Sequence, residues 1–361
     1  MSFKSKVLIL YTGGTFGMEI KRSAQGKLTS LSIPDLSNPV LKKRFKQQVP
    51  ELRKIAQCDV EVVMNRDSSH IGPKEWLLMA HVIQKKWDQY DGFVILHGTD
   101  TLAYTASALS FLLRPCHKPV ILTGAQRPLS AIRTDARNNL ISSVELAAQG
   151  GPRSQKTPAQ VMVFFGNALF QGNRIRKLSS TDFNAFESPQ ASPLAITGTT
   201  IRSLPKEKIQ HPKKLSKVKL LPDFSTQVLM CHITPGFPAQ ALSTEVLSSL
   251  DALILVAFLS RTAPTHDMNF MKLIRRAKKL KIPVIITTEE GPSPAHTAHH
   301  LKSEKTRYSV EAELFAEGCL GSDSMTPECA YVKACFIAGQ NPGYSRFKKL
   351  WKENLAHESL E

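Results

Sequence analysis

The feature that most constrains this chain is a pattern repeated along its first half: a short run of strand-forming apolar residues, a polar turn, then a helix. The first instance runs from Val7 to Gly17 and reads V-L-I-L-Y-T-G-G-T-F-G. A continuous apolar run followed by glycines is how a buried parallel strand ends at a tight turn. Gly13 and Gly14 admit backbone conformations closed to other residues and let a small molecule approach the main chain. Thr12 and Thr15 are then expected to lie exposed at the strand's carboxyl end, where an open α/β sheet keeps its ligands. Glycines at 13, 14 and 17 fit neither the G-x-G-x-x-G fingerprint nor the G-x-x-x-x-G-K-[ST] loop, so a phosphate cradle is not indicated.

The pattern returns. Val60–Met64 ends at Asn65-Arg66-Asp67-Ser68-Ser69, and Pro73 opens a helix. Phe93–Leu96 closes on His97-Gly98-Thr99-Asp100-Thr101 ahead of a helix with apolar positions at 102, 106, 109, 112 and 113. Pro119–Leu122 ends at Thr123-Gly124-Ala125-Gln126, followed by a helix over 133–148, and Val161–Phe165 is a further strand before a turn and return at 172–177. Between the first two strands, 18–32 is polar and without periodicity, which predicts a mobile loop beside the site. This alternation is the signature of a parallel sheet wrapped by right-handed crossovers. All the polar turns then share one edge, which would bring Thr15, Ser68, Thr99, Asp100 and Lys177 to a single crevice.

Length and composition set the rest of the frame. A chain of 361 residues that is 42% hydrophobic can bury two cores. The expected organisation is an N-terminal catalytic domain over 1–204, a basic, proline-punctuated linker over 205–226 and a smaller α/β domain over 227–361. In that last part, 228–233, 253–258 and 284–287 read as strands, with helices near 244–250, 268–280, 327–338 and 345–355. No run approaches a membrane span or a secretory leader, so a cytoplasmic location is expected, with no membrane association. Six scattered cysteines without a C-x-x-C pair argue against zinc and against a disulfide framework. His296, His299 and His300 match no standard metal spacing. The net charge of +17 is spread over several runs without a nucleic-acid-binding motif, so no specific nucleic-acid partner is predicted.

Chemistry is suggested by one set of side chains. A threonine hydroxyl must lose its proton to a base as it attacks, and a lysine can take that proton if its charge is suppressed. Thr99, Asp100 and Lys177 supply a relay hydroxyl, an orienting carboxylate and an acceptor. Thr15 or Thr99 would attack a carbonyl carbon, with glycine-turn N–H groups placed for the oxyanion.

These residues also resemble a known family. T-G-G-T-F-G at 12–17, H-G-T-D-T at 97–101, T-G-A-Q-R-P at 123–128 and G-N-R-x-x-K ending at Lys177 look like the bacterial L-asparaginases, specifically the cytoplasmic type I enzymes. The resemblance spans residues 6 to about 193, and Asp323–Glu328 is similar to the family's closing region. It implies a two-domain α/β fold, the larger N-terminal domain holding a mostly parallel sheet wrapped by helices. It also implies hydrolysis of L-asparagine, and weakly of L-glutamine, to the acid and ammonia, with no metal or organic cofactor, by a homodimer or homotetramer. Under it Thr15 is the nucleophile, and Thr99, Asp100 and Lys177 are the second triad. Ser68 and Ser69 hold the substrate's ends, and Asp67, Gly98 and Ala125 are further contacts.

The sequence departs from the family at stated points. No tyrosine lies between Tyr11 and Tyr90, and Lys27 takes the place of the lid tyrosine. His70 replaces an aspartate, Arg261-Thr262-Ala263-Pro264 replaces a glycine-rich turn, and Thr288-Glu289-Glu290 stands where T-Q-C is usual. Two other readings follow from the same features: an amino-acid sensor, suggested by the missing tyrosine, and a tRNA-linked amidotransferase subunit, suggested by the charge. The intact threonine and lysine set weighs against the first. The early position of T-G-G-T, ahead of which that subunit carries a further domain, weighs against the second.

Overall fold

Continuous apolar runs commit this chain to strands buried on both faces. The computed structural model describes residues 4–22, 28–32, 38–150, 157–203, 223–289 and 309–359. They form two compact units: residues 1–188 with 192–220, and 189–191 with 221–361.

In the first unit, β1 (Lys6–Gly13) is followed by a hairpin of β2 (Glu19–Arg22) and β3 (Leu28–Ser32). The segment expected as an irregular loop is therefore partly ordered as an antiparallel pair. Helices α1 (Asn38–Gln48) and α2 (Leu52–Ile55) lead to β4 (Gln57–Arg66), and α3 (Pro73–Lys86) to β5 (Gly92–Leu96). Then come α4 (Leu102–Leu112), β6 (Val120–Thr123), α5 (Ala136–Gln149), β7 (Val161–Phe165) and β8 (Ala168–Gln171). The short strands β9 (Arg176–Lys177) and β10 (Phe186–Glu187) pair with each other, and β11 (Ala195–Thr197) and β12 (Ile201–Ser203) extend the main sheet.

That sheet has the order β12-β11-β8-β7-β6-β5-β1-β4, parallel from β7 to β4. Alternation along the strands divides its core. Val7, Ile9, Tyr11, Val94, Leu96 and Ile121 pack with α1, α2 and α5, around an edge-to-face pair of Phe16 and Phe45. Leu8, Leu10, Phe93, Ile95 and Leu122 are buried on the opposite face. Parallel strands send all their carboxyl ends to one edge, and that edge carries the turns at 13–17, 65–70, 97–101 and 123–127.

The second unit is a four-stranded parallel sheet, β13 (Val228–His232), β14 (Ala252–Ala257), β15 (Val284–Thr288) and β16 (Leu320–Gly321), in that order. Its helices are α6 (Thr244–Ser248), α7 (Met268–Lys279), α8 (Ser309–Ala316), α9 (Pro327–Ala338) and α10 (Tyr344–Lys352). Side-chain caps set three of the helix starts, at Ser243, Asp267 and Thr326. None of the six cysteines is in a disulfide. Among the described residues no helix is long and apolar enough to cross a membrane, and no cluster of His, Cys, Asp and Glu is arranged to hold a metal ion.

Candidate active site

The first turn is wedged between the ends of two neighbouring strands. Gly14 has φ +78°, and a Cβ there would sit 2.4 Å from the Cα of Gly98. Gly13 has φ +116°, and its Cβ would fall 2.1 Å from the carbonyl oxygen of Arg66. Only glycine satisfies both the dihedral and the approach. The backbone of the first turn thus lies directly against the turns that follow β4 and β5. Its two threonines part company, contrary to the expectation that both are exposed. Thr12 is fully buried and its hydroxyl donates to the Leu96 carbonyl at 2.9 Å. Thr15 opens the 3-10 turn Thr15–Gly17 and is half-buried. Thr12 serves the fold, and Thr15 is the one a ligand can reach.

Lys177 reaches the same edge from β9. Its Nζ donates to Thr99 Oγ1 at 2.7 Å and to Asp100 Oδ1 at 2.6 Å. Thr99 is 7% exposed, whereas the Asp100 side chain is 65% exposed. Either residue might have been spent as a cap on the next helix, since both types are favoured there. Neither is: the N-cap position of α4 is Thr101, which makes no side-chain cap bond and donates to the Ser68 carbonyl at 2.7 Å instead. Thr99 and Asp100 are thereby left to Lys177.

The turn after β4 completes the group. Ser68 is buried, and its Oγ lies 2.6 Å from where a Cβ on Gly98 would stand. Ser69 is turned toward Asp67, whose Oδ1 accepts from the Ser69 hydroxyl at 2.6 Å and the Ser69 amide at 2.9 Å. Those two bonds hold the Asp67 carboxyl below the usual carboxylate range. His70 Nδ1 is 3.4 Å from Ser69 Oγ. Ala125 is buried next to Gly124, whose added Cβ would meet the His97 carbonyl at 2.4 Å and Thr99 Cγ2 at 3.5 Å. The structure therefore brings together the turns bearing Thr15, Ser68, Gly98, Thr99, Asp100 and Ala125, with Lys177 above them. Lys27 lies outside the described residues.

Two residues that sequence reading passed over stand behind this edge. His97 is completely buried, with Nδ1 2.7 Å from the Gly98 carbonyl and Nε2 3.0 Å from Thr105 Oγ1. The Trp76 indole donates to that same hydroxyl at 3.0 Å. A carbonyl accepts only, so Nδ1 carries the proton, Nε2 accepts from Thr105, and the ring is neutral. Burial pushes the His97 pKa down to about 4. Gln126, the second, reaches across to the loop that follows Lys177. His97 was visible in its motif as a polar residue straight after a buried strand. Gln126 carried no signal of its kind.

Comparison with known proteins bears on the family. The family model "Asparaginase, N-terminal" matches residues 6–209. L-asparaginase 1 of Escherichia coli K12 is 31% identical over 355 residues, covering 98% of each chain. The crystal structure of L-asparaginase I from Vibrio cholerae superposes with a TM-score of 0.80 at 28% identity, over 99% of this chain and 100% of that one. The 60 kDa lysophospholipase of Mus musculus is 32% identical over 81% of this chain and 49% of its own length. With a family model over more than half its length and a full-length relative above 30% identity, this chain belongs to the asparaginase family.

Proposed function

We propose that this protein hydrolyses the side-chain amide of L-asparagine, releasing L-aspartate and ammonia, with Thr15 as nucleophile. The observation that carries the reading is the Lys177 Nζ within hydrogen-bond reach of both Thr99 and Asp100, on an edge where Gly14 lies against Gly98. In the reaction Thr15 Oγ attacks the amide carbon while its proton passes through the Thr99 hydroxyl to the Lys177 amine. Lys177 returns that proton to the departing nitrogen, which leaves as ammonia. Water then attacks the Thr15 ester, frees the carboxylic acid and restores the hydroxyl. Asp100 balances the lysine's charge each time it forms. Backbone N–H groups of the glycine turns supply the oxyanion's hydrogen bonds. Ser68, Ser69 and Asp67 are the binding group for the substrate's amino and carboxylate ends, with Gly98 and Ala125 as backbone contacts.

The choice of a small amide is tested by ammonia release from asparagine and glutamine, beside fatty-acid release from lysophosphatidylcholine, each with Thr15→Val as control. Asparagine turnover abolished by Thr15→Val is expected. Thr15-dependent release of fatty acid without ammonia would replace the amide reading with an ester one.

A further inference from the structure

Lys177 sits on a strand whose ladder is two residues long, Arg176 opposite Glu187 and Lys177 opposite Phe186. So short a ladder does not fix the height of the Nζ over Thr99. We infer that Gln126 is a positioning residue for Lys177, its side-chain amide clamping the loop through which β9 returns as β10. The inference rests on reading Lys177 as the proton acceptor.

The clamp uses both hydrogens of one amide group. Gln126 Nε2 donates to the Ser179 carbonyl at 3.0 Å and to the Asp182 carbonyl at 3.2 Å, on the two sides of the loop's tip. The tip is closed on itself by Ser179 Oγ, which accepts from the amides of Thr181 at 3.1 Å and Asp182 at 2.9 Å. The loop therefore moves as one body, and β9 moves with it: the Leu178 amide donates to the Ala185 carbonyl at 2.8 Å.

Gln126 is itself held from below. Asp135, 6% exposed, accepts from the Gln126 amide at 2.9 Å, the Arg127 amide at 3.1 Å and Asn139 Nδ2 at 3.2 Å. A buried carboxylate that takes its hydrogen bonds from one turn fixes that turn against α5. Asn139 provides a second anchor. It donates to the Gly124 carbonyl at 3.0 Å and accepts from the Gly166 amide at 3.1 Å. At φ +64°, Gly166 has its Cβ direction blocked by Asn184 Oδ1 at 2.2 Å and the Phe183 carbonyl at 3.1 Å. The start of α5 thus holds the outgoing leg of the loop through Gln126 and the returning leg through Gly166. Nothing about this arrangement needs a glutamine except the two carbonyls it reaches.

The test is kinetic. Gln126→Leu keeps the bulk and removes both donations, and it is expected to lower kcat by about 10- to 100-fold with KM within roughly threefold, the scale of a small misplacement of a catalytic group. In a Lys177→Met background the same change is expected to cost nothing further, because Gln126 acts only through Lys177. Gln126→Glu guards against misfolding of the leucine variant. A carboxylate repels the two carbonyls while a protonated carboxyl donates to one, so its kcat relative to wild type at the same pH is expected to rise as pH falls from 7 to 5. A kcat within twofold of wild type for Gln126→Leu, losses that multiply in the double variant, or a flat Gln126→Glu ratio would each overturn the clamp. Failure of the active-site reading itself shows separately, as asparagine turnover that survives Thr15→Val.

Discussion

Two lysine–carboxylate pairs of nearly equal length stand in opposite surroundings in this molecule. Lys177 and Asp100 meet at 2.6 Å, Lys333 and Glu358 at 2.5 Å. Lys333, on α9, is 2% exposed, and its ammonium also donates to the Trp351 and Glu353 carbonyls at 2.8 Å each, with the Trp351 ring 5.3 Å beneath it. Glu358 is 0% exposed and accepts from the amides of Leu355 and Ala356. Burial alone would raise the Glu358 carboxyl, but the Lys333 charge and these hydrogen bonds outweigh it and hold the group below its ordinary value. Apart from the bond that joins them, the donors and acceptors of that pair are spent on backbone, and the result staples residues 353–358 to α9 and α10. In the first pair the lysine spends one bond on a hydroxyl that can pass a proton on, and the carboxylate faces solvent. What separates the two pairs is spare hydrogen-bonding capacity and access, not distance.

The largest expected difference follows directly. Lys177→Met should lower asparagine turnover by about 10²- to 10⁴-fold, the usual worth of a general base, and leave the melting temperature within a degree or two. Lys333→Met should do the reverse, losing about 3–5 kcal/mol of stability by stranding a buried carboxylate, while the folded fraction keeps its kcat. Activity assays paired with thermal melts on both variants separate the two roles. Equal losses of both properties in both variants would erase the distinction.

A second expectation concerns what burial costs when both partners go together. Lys333→Met combined with Glu358→Leu replaces the pair by apolar groups of similar bulk. Its stability should recover most of what Lys333→Met alone loses, since the desolvation of two charges is removed along with their attraction. Chemical-denaturation curves for the single and double variants decide this. A double variant no more stable than the single one would mean that the backbone contacts of Lys333, and not the charge balance, hold the tail.

How much of this was legible beforehand depends on the range of the interaction. Strands β1, β5, β6 and β7 were read to within a residue or two, because burial on both faces writes itself as a continuous apolar run. The start of α5 was read three residues early. Thr134 and Asp135 resemble helix residues by pattern but are spent on the preceding turn, where the Thr134 hydroxyl donates to the Arg127 carbonyl at 3.0 Å. The β2–β3 pair escaped because its sequence, E-I-K-R and L-T-S-L-S, holds no continuous apolar run. Within the site, Thr99 and Lys177 are 78 residues apart and are joined in the sequence by the shared sheet edge and by their chemistry, since no local periodicity links a lysine to a threonine at that range. Gln126 lies in the T-G-A-Q-R-P run, but nothing in that run points 53 residues on to Ser179, and Glu358 is one glutamate among many until the fold buries it. Local physics wrote the strands into the sequence, and the tertiary contacts that aim the side chains left no such trace.

The smallest effect sharpens the comparison with a third buried group, one that has no charged partner. His97 stays neutral where Lys333 and Glu358 stay charged, because a hydroxyl and a carbonyl satisfy the ring without repaying the desolvation of a cation. Its pKa falls from 6.5 to about 4. Below pH 6.5 the unfolded chain therefore takes up a proton that the native state refuses. Stability drains away by up to about 1.4 kcal/mol per pH unit until pH nears 4, where the native ring protonates too. The Glu358 contribution has the opposite origin and an adjacent window: a lowered carboxyl pKa stabilises above the ordinary carboxylate range and is lost as pH falls through the folded value. Between pH 7 and 5 the two separate. There His97→Gln should flatten the decline in unfolding free energy by roughly 1–2 kcal/mol relative to wild type, whereas the Lys333→Met, Glu358→Leu double variant should leave that slope untouched. Urea titrations at pH 7, 6 and 5 read both slopes, and a wild-type decline that persists undiminished in His97→Gln would show that the His97 ring is not the group behind it.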